Sequence, residues 1–316
     1  MLFTGGGGAG TEALARLLGK RYEVFFADAD PSAKPYQIPH DHWLQIPLAT
    51  DPEFAGVITE LCRRLQIDLF IPAVDEELLP TARLLRPLGF DVLLPPESFV
   101  VRHLDKLTSN KFLYQADLPV PRTVAADMER LDFPCIVKPR KGRGSRNVAV
   151  VYSETELQAQ ITLARQDPKE FVLQELLAGQ EYTVMMAADR NGELRGVVPV
   201  LLQRKRGITI RGVTANEQDI IHACQAIHAS DPVPGCYNIQ LIKEKKNLVK
   251  PFEINPRIST TACLGYAAGV DFIDIYFANS ERKDRQIKKL VSFKNYLCLK
   301  RSWYNEIKNS ENIQSH

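Results

Sequence analysis

Phe252-Glu253-Ile254-Asn255-Pro256-Arg257 is the stretch on which the reading of this chain turns. In an extended strand, side chains alternate between faces. Glu253 and Asn255 therefore share one face, while Phe252 and Ile254 point the other way, into a core. Upstream, Tyr237–Ile242 alternates in the same manner, and the polar run Lys243–Asn247 suits a solvated turn, so Tyr237–Asn255 reads as a hairpin. Gln240, flanked by Ile239 and Leu241, can face the same way as Glu253. Three oxygen-bearing side chains then converge beside Arg257. Oxygen donors are what Mg²⁺ (or Mn²⁺) takes, with waters and nucleotide phosphates completing the shell. Pro251 cannot donate to a ladder, so the second strand is expected at a sheet edge or bulged there.

Working backward, short alternating strands are expected at Cys135–Lys138, Val148–Val151, Phe171–Glu175, Tyr182–Ala188 and Leu194–Leu202, with a helix at Glu217–Ala229. This part reads as α+β. Lys138 ends an apolar strand and is followed by the loop Lys141-Gly142-Arg143-Gly144-Ser145-Arg146-Asn147. Exposed amides and basic residues suit phosphate oxygens, although a glycine hairpin with solvated arginines has the same composition. Gln174-Glu175-Leu176-Leu177 ends another strand, where backbone groups could meet an adenine edge. Glu181, a few residues on, could accept ribose hydroxyls, or be a surface acid after a Gly179 turn.

Further back the style differs. A glycine loop lies between a first strand and a helix over Thr11–Leu18, followed by a strand at Tyr22–Ala27. A helix near Pro52–Leu65, a strand at Asp68–Pro72, a helix over Glu77–Leu85 and a strand at Asp91–Leu94 continue the alternation. It predicts a parallel sheet with helices on both faces, ending at Pro95-Pro96. Residues 97–118 read as helical, broken by Pro119 and Pro121, and Asp105-Lys106 begins a helix within that stretch. Gly5, Gly7 and Gly10 satisfy a GxGxxG pattern, with Asp28 as the following acid. A dinucleotide-binding oxidoreductase is therefore one reading, and a tight turn that binds no NAD is the other.

Composition bounds the rest. The 316 residues predict two or three domains, and 45% apolar with 25% charged residues is ordinary for a soluble globular protein. A net charge of +2 gives no field for nucleic acid. There is neither a signal-like N-terminus nor a run of 18 apolar residues, so no membrane partner is expected. Six scattered cysteines without a CxxC read as reduced core thiols, giving a cytoplasmic expectation. Residues 279–316 carry nine Lys/Arg against four Asp/Glu, a net of +5, which leaves −3 for residues 1–278. This basic tail is expected to be a surface arm or a final strand–helix.

Taken together, Asp105-Lys106, Val137-Lys138-Pro139, Gly142–Val148, Gln174–Glu181, Gln240 and Glu253–Arg257 resemble the ATP-grasp superfamily, within it the carbamoyl-phosphate-synthase-like branch. The resemblance spans residues 1–278. It implies a Rossmann-like pre-ATP-grasp α/β domain at 1–97 and an ATP-grasp fold at 98–278. In that fold, a small subdomain (98–178) and a metal-binding subdomain (179–278) grip ATP, with the tail at 279–316. By the same resemblance, Lys106 and Lys138 contact phosphates, and Gly144 and Ser145 cover them. Glu175, Leu176 and Leu177 form the adenine hinge and Glu181 holds ribose. Gln240, Glu253 and Asn255 hold Mg²⁺, with Glu253 bridging two ions. Arg257 holds the acceptor carboxylate, so Lys138, Asn255 and Arg257 are the catalytic candidates. Asn147 stands where the family often has glycine, tolerable because Asn enters the left-handed region.

The implied chemistry is ligation of a small-molecule carboxylate to an amine through an acyl phosphate, with release of ADP and phosphate. Carbonate or carbamate phosphorylation is the runner-up, weakened because only one ATP-grasp unit fits the length. A nucleotide-binding regulatory protein is the third reading. For the substrate, Asp75 and Glu76 could hold a cationic amine or simply begin a helix. The basic run Gln203–Arg206 with Arg211, Arg206 and Arg211 foremost, could hold an anion or be an exposed basic strand. Relatives of this kind are often homodimers, and no interface is legible in the sequence.

Overall fold

The computed structural model describes residues 1–85, 90–278, 287 and 289–302. A parallel five-stranded sheet comes first, in the order β3-β2-β1-β4-β5. Its strands are β1 (Leu2–Thr4), β2 (Phe25–Asp28), β3 (Trp43–Gln45), β4 (Leu69–Ile71) and β5 (Asp91–Val92). Every residue of β1 and β4 is buried, as a parallel sheet covered by helices requires. Helix α1 (Thr11–Leu18) buries Leu14 and Leu18 on one face, and α2 (Phe54–Arg64) buries Phe54, Ile58, Leu61 and Cys62. Helix α3 (Asp75–Pro80) starts two residues earlier than the sequence suggests. Its first turn holds Asp75, Glu76 and Glu77, where acids complement the helix dipole.

The helical stretch 97–118 is two helices, the second beginning at Asp105-Lys106 as expected. Helix α4 (Glu97–Leu104) and α5 (Lys106–Gln115) meet at Asp105, whose backbone is extended. Its carboxylate accepts the N–H groups of Leu107 (3.0 Å) and Thr108 (3.1 Å), so it caps α5. The local cap outweighs the helical propensity of the residues around it.

The second sheet is antiparallel, ordered β6-β9-β7-β8. It comprises β6 (Thr123–Ala125), β7 (Cys135–Pro139), β8 (Ala149–Val151) and β9 (Phe171–Glu175), with α6 (Glu154–Ala164) packed on it. The third sheet, also antiparallel, runs β14-β13-β10-β11-β12-β15. Its strands are β10 (Gln180–Ala188), β11 (Leu194–Arg206), β12 (Ile208–Thr214), β13 (Gly235–Lys243), β14 (Val249–Asn255) and β15 (Cys298–Lys300). Helix α7 (Gln218–Ser230) covers one face, packing Ile220, Cys224 and Ile227 on Tyr182, Ile239 and Leu241. Helices α8 (Ala262–Ala267) and α9 (Phe272–Phe277) cover the other. The core under α8 and α9 also takes in Phe3, Leu14 and Phe26, so the first and third sheets share one apolar core.

Strand β14 lies at the sheet edge, and its register slips between Gln240 and Leu241, which sit opposite Glu253 and Pro251. Phe252 is thus the extra residue of a bulge, which absorbs Pro251 while keeping Gln240 and Glu253 opposed. Of the basic tail, Cys298–Lys300 pairs with β12 as a final strand. Residues 279–286, 288 and 303–316 lie outside the described residues. The cysteines are free; five are buried and Cys298 is exposed. No helix among the described residues is long and apolar enough to cross a membrane.

Candidate functional site

All three sheets border one cavity of about 980 Å³. Its floor is one face of the third sheet. Gln240 lies opposite Glu253 on one side and Thr183 on the other, and Asn238 lies opposite Asn255. Period-two alternation therefore places Glu181, Thr183, Asn238, Gln240, Glu253 and Asn255 on the same face, and all six line the cavity. Asn238 was not foreseen, although it stands two residues before Gln240 and shares its face by the same rule. It is 4% exposed, its amide donates to the Thr183 hydroxyl at 3.4 Å, and its carbonyl oxygen has no partner among the described residues.

The donor chemistry of Gln240, Glu253 and Asn255 fits a hard divalent ion. All three offer oxygen, and their single carboxylate leaves room for phosphate oxygens to complete the charge. Among the described residues no cluster of three or more His, Cys, Asp or Glu exists that would hold a metal by itself. The set suits an ion that arrives with a phosphorylated ligand.

Facing this floor are cations. Lys138 is 4% exposed, its ammonium donating to the Gln174 side-chain carbonyl at 2.9 Å and lying over the Phe252 ring at 5.3 Å. Burial pulls its pKa down to about 8, against the opposing pull of the Glu253 carboxylate. Lys106, the first residue of α5, donates to the Gly142 carbonyl at 2.9 Å, tying helix and loop together. Asp105 is fixed in turn by Arg140 at 2.7 Å; Arg140 and the backbone N–H donors hold its carboxyl below the ordinary range despite its burial. A third cation reaches the centre from β11. Lys205 donates to Glu181 (2.5 Å) and Gln240 (3.2 Å). The sequence marked the run containing Lys205 but favoured its neighbours. Arg206 is exposed and does not border the cavity, and Arg211 lines a separate groove. The register slips on both sides of Arg204 reverse the alternation of β11, so Lys205 faces the cavity and its flanking arginines do not.

The loop between β7 and β8 closes the top. Gly142 and Gly144 have φ of +121° and +70°, and Ser145 and Asn147 are left-handed at +56°. A Cβ on Gly144 would meet nothing within 4 Å, so its glycine serves the turn rather than packing. Glu175, Leu176 and Leu177 run along the cavity edge. The Glu175 carboxylate accepts the Arg122 N–H at 3.1 Å and the Lys250 ammonium at 3.2 Å, and the Glu175 backbone N–H donates to the Arg122 carbonyl at 2.9 Å.

The first sheet supplies the far wall. Arg257 lines the cavity and pairs with Asp75 at 2.5 Å, both side chains being nearly buried. Asp75 is thus engaged by Arg257 rather than held free for an amine, and Glu76 meets Arg143 at 3.1 Å. Glu77, next along α3, also lines the cavity and is 6% exposed. Burial pushes its carboxyl up to about 7, while the Thr4 hydroxyl bonded to it works the other way.

The glycine loop has an internal role. The Asp28 carboxylate accepts the Gly7 N–H at 2.8 Å and the Asp30 N–H at 3.1 Å, so it is occupied by the loop it follows. A Cβ on Gly10 would lie 2.7 Å from the Thr260 carbonyl oxygen. The absence of a side chain at Gly10 lets the loop dock against Thr260 of the same chain.

Residues 167–298 match the family model described as ATP-grasp in the biosynthetic pathway with Ter operon, and residues 108–209 match that described as D-ala D-ala ligase C-terminus. No curated protein sequence matches the chain. Among solved structures, the N5-carboxyaminoimidazole synthetase from Staphylococcus aureus complexed with ADP superposes with a TM-score of 0.72 at 16% identity, over 92% of this chain and 79% of that one. An L-amino acid ligase from Bacillus licheniformis gives 0.66 at 18% identity, over 86% and 71%. A biotin carboxylase from Campylobacter jejuni in complex with β,γ-ATP gives 0.65 at 14% identity, over 86% and 69%.

Proposed function

We infer that this chain, an ATP-grasp protein, is an ATP-dependent ligase that joins a small carboxylic acid to an amine through an acyl phosphate. The observation that carries the reading is the meeting of five groups of side chains in one cavity. Lys106 and Lys138, the glycine loop, the Gln240–Glu253–Asn255 face, the Glu175–Leu177 edge with Glu181, and Arg257 all line it. In this reading residues 1–97 and 98–278 are the two working units, with the tail beyond.

Adenine lies along Leu176 and Leu177, with Glu181 on the ribose and the phosphates under Gly144 and Ser145. Gln240, Glu253 and Asn255 would hold Mg²⁺, which neutralises phosphate charge when bound. A carboxylate is a poor acyl donor, because its oxygen is a bad leaving group. Its oxygen attacks the γ-phosphorus, the bond to the β-phosphate oxygen breaks, and ADP leaves. The amine nitrogen then attacks the acyl carbon, the C–O bond to phosphate breaks, and the amine loses a proton as the amide forms. Lys138 and Lys205 meet the negative charge that develops during transfer, and Arg257 orients the acid. Closure of the 142–148 loop excludes water that would hydrolyse the acyl phosphate.

The test is incubation with ATP, Mg²⁺ and pools of amino acids, following ADP and phosphate. Release that needs both an acid and an amine is expected. Release driven by bicarbonate alone would replace this reading by carbonate phosphorylation, and nucleotide binding without turnover in every pool would replace it by a binding protein.

A further inference from the structure

On the face of the third sheet turned away from the cavity, three cations stand in a row across three neighbouring strands. Arg204 of β11 lies opposite Arg211 of β12, and Arg211 lies opposite Lys300 of β15. Like charges placed directly opposite on adjacent strands repel and destabilise the pairing. All three side chains are exposed, and no carboxylate forms an ion pair with any of them among the described residues. The register slips on either side of the Arg204–Arg211 rung, so paired irregularities flank it. Such bulges re-aim side chains. Lys205 and Thr209, beside this rung, line the nucleotide cavity, whereas the row lines a second groove of about 900 Å³.

The remaining charged groups in the groove are already engaged. Glu181 is bonded to Lys205 at 2.5 Å. The Arg301 guanidinium donates to the carbonyls of Thr209 and Thr260, each at 2.8 Å, and of Ala9. Among the described residues, three cations therefore face the groove without a counter-charge, at a cost to the sheet that packing does not explain.

We infer that this row is a second anion site, taking a small polyanion with two or more phosphate or carboxylate groups. Neighbouring strands lie about 4.8 Å apart, so the row spans about 10 Å, the reach of a short polyphosphate or a tricarboxylate. Two of its members are arginines, whose planar fork matches either group. The groove is lined by Gln203, Ile210 and Leu201 and, among the described residues, by no aromatic side chain, so these residues offer no stacking surface of the kind single-stranded nucleic acid needs. Glu181 and Leu202 line both the groove and the nucleotide cavity, but none of the three cations borders that cavity, and the site does not depend on the ligase reading.

The test is calorimetric titration of the full chain with tripolyphosphate and, separately, with citrate, which distinguishes the phosphate source from the carboxylate source. One equivalent of at least one probe is expected to bind. Arg211→Gln and Lys300→Gln should each weaken it at least tenfold. The same two variants should melt higher than the parent without ligand, because repulsion across the ladder is relieved, and this shows that they fold. Arg206→Gln, an equally exposed cation outside the groove, should leave binding unchanged. Equal affinity in the parent and both ladder variants would overturn the site. So would an equal loss in Arg206→Gln, which marks diffuse surface charge, or a loss in Lys138→Met alone, which moves the probe into the cavity.

Discussion

Replacing Lys138 by Met should make the protein more stable and nearly inactive. The two effects come from the same burial. Lys138 is 4% exposed, and its pKa falls from 10.5 to about 8. A depressed lysine pKa means that the charged form is penalised in the fold, and the shift corresponds to about 3 kcal/mol at pH 7. Met removes that penalty at similar volume. It also strips the donor from the Gln174 side-chain oxygen, bonded at 2.9 Å, and an unsatisfied buried acceptor costs about 1–2 kcal/mol. The net gain is about 1–2 kcal/mol at pH 7. Below pH 8 the wild-type penalty is present in full. As the pH rises from about 8 toward 10.5, the folded protein gives up the proton that the unfolded chain still holds, and the wild type gains stability. The gap between the two proteins should therefore close above pH 8. For activity, a unit charge about 4 Å from a phosphate oxygen at an effective dielectric of about 20 is worth about 4 kcal/mol. Its loss should lower ADP release about a hundred- to a thousandfold. Thermal melts at pH 7 and 10, with a coupled ADP assay at pH 7, read both effects. A variant less stable at pH 7, a gap unchanged by pH, or ADP release within threefold of wild type would refute the reasoning.

Glu77, with its carboxyl raised to about 7, should make stability fall as the pH rises from about 4.5 to 7, because the unfolded chain releases its proton first. Melting curves of Glu77→Gln should lack that slope. Arg257→Ala leaves the Asp75 carboxylate nearly buried and unpaired, and should cost about 3–5 kcal/mol in denaturant unfolding. Arg257→Ala with Asp75→Ala should recover much of that stability but none of the turnover, whereas equal instability would mean that the pair is not coupled. Gly10→Ala places a Cβ 2.7 Å from the Thr260 carbonyl and should destabilise the chain by about 1–3 kcal/mol, as overpacking does. A neutral result would show that the loop is not docked there.

What the sequence revealed, it revealed through alternation. Glu253, Asn255 and Gln240 share a face because strands repeat every two residues, and the edge bulge at Pro251 was legible because proline lacks an N–H. The same rule, pressed further, would have found Asn238, but not Lys205: simple alternation from Leu202 favours Arg204 and Arg206, and the two register slips around Arg204 reverse the phase. Sequence alone did not reveal that the basic run folds back at Gly207 into β12, since the hairpin sets which residues face the cavity. The helix start at Asp105-Lys106 was legible, and Asp105 serves there as the cap. Helix α6 went unread despite Ser153 and Glu156 at its start. There the Ser153 hydroxyl accepts the Glu156 N–H at 3.3 Å, and the Glu156 carboxylate takes the Tyr152 N–H at 2.8 Å. The pairing of Arg257 with Asp75 joins residues 182 positions apart, a separation that no local pattern encodes.

The central claim is that the acid's own oxygen passes to the γ-phosphate. An acid found to trigger ADP release should be labelled with ¹⁸O in its carboxylate and turned over with ATP, Mg²⁺ and the amine. The account predicts one ¹⁸O in each inorganic phosphate released, read as an isotope-shifted ³¹P resonance. Unlabelled phosphate, or label carried into AMP, would contradict it.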